Sequence, residues 1–155
     1  MLDRVWIYQA DRFMTDKEVE EIDGLIETFV QDWTAHGSAL AGKGQIVHNL
    51  FLVLQVDEEL ARVTGCSIDK SVYFIKGLEQ RFSIGFFDRM NVAYRNDAGQ
   101  LQLVDRNAFS TLVNDGTVDE NTIVYNNLVQ TVEEMNTKWE VPFRDSWHSK
   151  VFLKR

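Results

Sequence analysis

The sequence predicts a single α+β domain over residues 1–155, with a mixed β-sheet, a long amphipathic N-terminal helix and a β-hairpin. Three observations point there. A helical stripe of apolar residues over 19–33 follows a β-branched, aromatic strand at 4–9. Paired runs around "NDAG" at 96–99 read as a hairpin, which breaks the strand–helix alternation of a parallel fold. No repeat, linker or low-complexity stretch divides the 155 residues, and 45% of them are apolar, enough to bury a core without disulfides or metals.

Each element follows from local pattern. "RVWIYQ" (4–9) reads as a strand apolar on both faces. Thr15 is the expected N-cap of the first helix and forms a capping box with Glu18, while Asp16 adds negative charge to the first turn. Val19, Ile22, Leu25, Ile26, Phe29, Val30 and Trp33 then make one apolar stripe, with Glu20, Glu21, Asp23 and Glu27 mostly off it. "QIVHNLFLVLQVD" (45–57) is apolar at odd and even positions, so it predicts one long central strand with His48 as a satisfied core histidine.

A second helix is expected from about Ile68 to Arg81, burying Ile68, Val72, Ile75, Leu78 and Phe82, with Gly85 just past its end. "RMNVAYR" and "QLQLVDR" form the hairpin with Gly99 near the reversal. A short helix over 108–114 carries Phe109, Leu112 and Val113 and stops near Gly116. "NTIVYNN" supplies another strand, and Thr131 with Glu134 repeats the capping-box pattern for a helix ending near Trp139. Pro142 ends regular structure and leaves a tail.

Charge and cysteine content narrow the function. Net charge is −8, from 24 acidic and 16 basic residues, which disfavours generic binding to nucleic acid or anionic membranes. The single cysteine, Cys66, excludes an intramolecular disulfide and a thiolate zinc cage. Three histidines at wide spacings add no metal pattern, so neither metal nor cofactor is expected. The N-terminus has Asp3 and no long apolar stretch, so no signal peptide is expected, and "LFLVL" at 50–54 is too short to span a bilayer. The expected compartment is the cytoplasm.

"HGSALAGKGQ" (36–45) nearly matches a phosphate-binding P-loop. Gly37, four residues, Gly42 and Lys43 fit the pattern, but Gly44 stands where a magnesium-binding Ser or Thr belongs. The order here is helix, loop, strand, so no helix N-terminus faces the loop. A mobile connection with Gly37 as a C-cap is the expected role. Asp57, Glu58 and Glu59 read as a solvated acidic surface.

"TGCSIDKS" (64–71) is the most suggestive segment for chemistry. Ser67 or Asp69 can cap the second helix, and Cys66 just before a helix N-terminus has the setting that lowers a thiol pKa. Lys70 and Ser67 could hold an anion there. His36, three residues after Trp33, is the candidate base for Cys66, with Asp69 as helper. Trp33 and the amide of Asn126 are further ligand candidates. The plainer readings are a capped helix with a small core cysteine, an Asx turn at Asn126, and a tail anchored by His148.

Five segments carry a likeness to a known family: "WTAHG" (33–37), "GCSIDKSV" (65–72), "FFDRMNVAYR" (86–95), "TIVYNNLVQT" (122–131) and "WEVPFRDSWH" (139–148). Spanning nearly the whole chain, they resemble a family of small uncharacterised proteins from Bacteroidetes whose members often carry the label ABC transporter ATPase. The resemblance implies a bacterial protein and, through that label, nucleotide binding. Asp57 and Glu58 after "LFLVL" imitate a Walker B, but no LSGGQ-type signature occurs.

Three functions follow in order of support. The first is a non-enzymatic module that binds a protein or small ligand, with homodimerisation one form of it. Four tryptophans, a residue type enriched at interfaces, favour it. The second is an enzyme built on Cys66, His36 and Asp69. The third is nucleotide binding.

Overall fold

The computed structural model describes residues 3–33, 42–58 and 65–153, the last stretch with side chains from Ser67 onward. The predicted α+β class is what the chain adopts, although every strand pair is antiparallel and there are two sheets rather than one mixed one. The first sheet joins β1 (Arg4–Gln9), β2 (Gly42–Val47) and β3 (Phe51–Val56) in the order β1-β3-β2. The second joins β4 (Asn91–Arg95), β5 (Leu101–Asp105), β6 (Ile123–Tyr125) and β7 (Glu140–Pro142) in the order β5-β4-β6-β7.

The expected long strand over 45–57 is instead a hairpin. It reverses at His48 and Asn49, both at positive φ (55° and 56°), and Leu50 N–H closes the turn on the Val47 carbonyl at 3.1 Å. Asn and His tolerate this left-handed backbone better than most side chains. The Asn49 amide also donates to the Met14 carbonyl (3.0 Å) and Asp16 Oδ1 (2.9 Å), pinning the turn to the start of the first helix. His48 is therefore an exposed turn residue beside Glu140 and Trp139, and not a core histidine.

Helix α1 (Asp16–Trp33) begins with the predicted capping box: Glu18 N–H donates to Thr15 Oγ1 (3.1 Å) and Thr15 N–H to Glu18 Oε1 (3.0 Å). Ile22, Ile26 and Val30 are its buried line, while Phe29 and Trp33 are half-buried on one side. Asp23 turns inward enough to accept the Ile46 N–H at 2.9 Å. The helix comes so close to β2 that a Cβ on Gly44 would overlap Ile26 Cγ2 and lie 2.9 Å from Leu54 Cδ2. Gly44, the residue that spoils the P-loop, is required by packing. Lys43 beside it is an exposed strand residue, whereas His36 and Gly37 lie outside the described residues.

Helix α2 (Gly65–Phe82) starts three residues earlier than expected, so Ser67 and Asp69 lie within its first turns rather than at its cap. Its end is made by Ser83 at φ 54°, not by Gly85. Gly85 instead meets Asp11, whose carboxylate accepts the Gly85 N–H at 2.9 Å. Asp57 is 4% exposed and so is not part of an acidic surface; Glu58 is exposed and pairs with Arg4, and Glu59 lies outside the described residues.

Pleating sorts the side chains into layers. Trp6, Leu54 and Gly44 share a register and face α1; Ile7, Val53 and Phe51 face the other way, Phe51 meeting Tyr125 on the second sheet's inner face and Trp139 just before β7. The opposite face of that sheet, through Val92, Tyr94 and Val124, packs on a second core. That core is closed by α3 (Arg106–Asn114) and α5 (Trp147–Phe152), with Phe109, Phe143 and Phe152 in contact. The segment after Pro142 is thus a 3₁₀ turn and a helix that complete a core, not a tail. Helix α4 (Val132–Lys138), capped by Thr131 as predicted, follows a bridge between Thr131 and Arg4 that ties the sheets together.

Candidate functional site

Two concave regions stand out, on opposite faces of the first sheet. The first is a groove of about 830 Å³ between α1 and α2. Its wall is an aromatic stack: Phe29 lies 4.2 Å from Phe74 with rings nearly parallel, and 5.5 Å from Trp33. The Trp33 indole donates to the Ser67 carbonyl at 2.8 Å and packs edge-on against Trp6 at 5.7 Å. Helical spacing explains the grouping, since Phe29 and Trp33 are four residues apart on α1, and Lys70, Phe74 and Gly77 recur at three or four on α2. Asp32, Asp69, Lys70 and Arg81 edge the groove, and Tyr73 beside it is 82% exposed.

Several predicted site residues meet here. Trp33, Asp69 and Lys70 line one groove, and Ser67 contacts Trp33 through its backbone. Cys66 is the second residue of α2, with its side chain outside the described set, as is His36. Asn126 is elsewhere: its Oδ1 accepts the Leu128 N–H at 3.2 Å in an Asx-type turn after β6.

The second region is a cavity of about 330 Å³ lined by β1, the 86–93 segment, the end of β6 and the starts of α3 and α5. Gln9 and Asn127 contribute side-chain amides, already engaged in a chain that ends on the Asn91 backbone carbonyl. Trp139 Nε1 donates to Asn127 Oδ1 (2.9 Å), Asn127 Nδ2 to Gln9 Oε1 (3.0 Å), and Gln9 Nε2 to the Asn91 carbonyl (3.0 Å). Across from them lie Arg89, Arg106, Trp147 and His148. His148 is 3% exposed and stacks on Trp147 at 3.8 Å. Burial, and secondarily the Arg106 charge, pull its pKa down to about 4, so it is neutral at pH 7. Sequence reading missed this cluster because its members are dispersed; a signal for α5 was present in the apolar spacing of Trp147, His148, Val151 and Phe152.

Beside the cavity, Tyr125 accepts from Arg95 Nε (3.0 Å) and donates to Glu140 Oε1 (3.1 Å). Burial and then the Glu140 charge push its pKa up to about 12, which makes it a fixed hydrogen-bond relay rather than a base. Among the described residues no His, Cys, Asp and Glu group could hold a metal ion, and no helix is long and apolar enough to cross a membrane. No protein-family model, no curated protein and no solved structure matches the chain.

Proposed function

We propose that the protein is a non-enzymatic binding module whose α1–α2 groove receives a small apolar ligand carrying a ring. One observation carries this reading: Phe29, Trp33 and Phe74 form a wall that no further layer of the described chain covers. An apolar wall of this kind gains from desolvation and from ring stacking with a guest. The rim holds two acids and two bases, so charge contributes little selection. The volume lies within the range of about 300–1,000 Å³ usual for small-molecule sites. The single cysteine supports a reducing compartment, the cytoplasm.

Two-dimensional NMR with 2-naphthol as probe tests this. The Trp33 indole N–H resonance shifts, and Phe74→Ala, which removes one ring of the wall, weakens binding by about tenfold, equivalent to about 1.4 kcal/mol. An unmoved Trp33 resonance, or unchanged affinity in Phe74→Ala, overturns the reading.

The Trp33–Ser67 hydrogen bond favours a second reading, because it brings the end of α1 to the turn where Cys66 stands. In that enzyme Cys66 is the nucleophile, His36 the base and Asp69 a helper. Iodoacetamide alkylation between about pH 5 and 9 separates the two, since an activated thiol inflects below the unfolded value of about 8.5. A nucleotide-binding role, implied by the family resemblance, ranks third. Lys43 would then have to serve phosphates from a strand, and calorimetry with Mg-ATP on wild type and Lys43→Ala checks it.

A further inference from the structure

We propose that the cavity lined by β1, the 86–93 segment and the start of α5 is a second binding site, for a small organic anion that joins a flat ring to a carboxylate or phosphate. The cavity shares no lining residue with the groove. Arg89 and Arg106 both line the cavity, and among the described residues neither has a carboxylate within ion-pair distance. Arg106 Nε donates to the Arg89 carbonyl at 3.1 Å, which fixes the guanidinium and leaves its two terminal nitrogens without a protein acceptor among those residues. Asp88 also lines the cavity, its Oδ1 accepting the Met90 N–H at 2.8 Å, and its carboxylate offsets one of the two guanidiniums. In a chain of net charge −8, two guanidiniums against one carboxylate, with Arg106 held 6.0 Å over the Trp147 ring, give this cavity the chemistry of an oxyanion site.

Buried polar atoms add an independent indication. Trp147 Nε1 and His148 Nδ1 are both buried with no hydrogen-bond partner. An indole N–H can only donate, and burying it unsatisfied is costly. Neither atom has surface open to the cavity, so a guest oxygen reaches the indole N–H only when the Trp147 ring turns, and the two atoms mark the ring pair as the cavity's responsive wall. With His148 neutral, the positive charge comes from the arginines. The amides of Gln9 and Asn127 are locked in their own chain, so recognition falls to the arginine side. Phe87, held edge-on to Tyr8 at 5.5 Å, is the lining aromatic residue nearest the arginines in sequence and offers a surface for the ring. The volume is at the small end of ligand sites, which suits a single-ring anion.

The test is NMR titration of the full chain with benzoate and with phenyl phosphate, using benzyl alcohol as the uncharged control. The expected result is a shift of the Trp147 indole N–H, assigned through Trp147→Phe, by at least one anion and not by benzyl alcohol. Arg106→Gln and Arg89→Gln each weaken binding at least about tenfold. The tighter of the two anions assigns the headgroup. Arg106 also holds the start of α3, so if its variant does not fold, Arg89→Gln, on an exposed side chain, decides alone. No shift at Trp147, equal binding of benzyl alcohol, or affinity unchanged in the arginine variants overturns the proposal. The Trp33 indole is the internal reference: a shift there alone overturns this site and leaves the groove standing.

Discussion

His148 sets a pH dependence that one side chain can report. Unfolded, a histidine titrates near 6.5, whereas burial and Arg106 hold the folded group at about 4. Between those values the unfolded chain binds the extra proton, so stability is full above about pH 6.5 and falls as pH drops towards 4. The loss attributable to this residue is about 3 kcal/mol. Urea midpoints measured from pH 7 to 4 should therefore fall more steeply for wild type than for His148→Gln; parallel profiles would contradict it. Glu18 acts in a lower window. Its hydrogen bonds from Arg12, with that of the Thr15 N–H, bring its pKa down to about 2, so its contribution is present above about 4.5 and fades below.

Between elements, the decisive contact is α1 on β2. Gly44 exists so that Ile26 and Leu54 can meet over a bare backbone, and Gly44→Ala forces a methyl into both. The expected cost is about 1–3 kcal/mol, the usual range for overpacking. Gly24, exposed in the middle of the same helix, has open space where its Cβ would be. Gly24→Ala should stabilise by about 0.5–1 kcal/mol through helix propensity alone. Denaturant midpoints of the two variants should move in opposite directions. A shift of the same sign would mean that the helix does not lie where the packing puts it.

For the whole molecule, the question is whether the C-terminal segment is an appendage or part of the fold. Phe152 is 8% exposed and meets the fully buried Phe109 at 4.8 Å, on the outer face of the second sheet. The inner face of that sheet forms the main core with Phe51 and Trp139. One sheet thus belongs to both cores, and damage to either should be felt by both. Phe152→Ala should cost about 3 kcal/mol and lower a single melting transition seen alike by calorimetry and tryptophan fluorescence. An effect below about 0.5 kcal/mol, typical of surface positions, would make the segment an appendage.

What the sequence determined by itself was local: the capping boxes at Thr15 and Thr131, the stripe on α1, the 91–105 hairpin and the α+β class all depend on residues a few positions apart. Its failures share a cause. The reversal at His48–Asn49 lacks glycine, and its turn is held by Met14 and Asp16, more than thirty residues away, so periodicity alone read through it. Trp33 and the start of α2 were both legible as candidates, but that they line one groove was decided by how α1 and α2 lie together on the first sheet. The cavity was invisible beforehand. Arg89, Arg106 and His148 come from a loop and two helices, and only the packing of α3 and α5 beside β1 brings them around one space. Hydrogen bonds to the next turn are written in sequence; the meeting of distant charges waits on packing, because packing alone sets which solvated groups lose their water together.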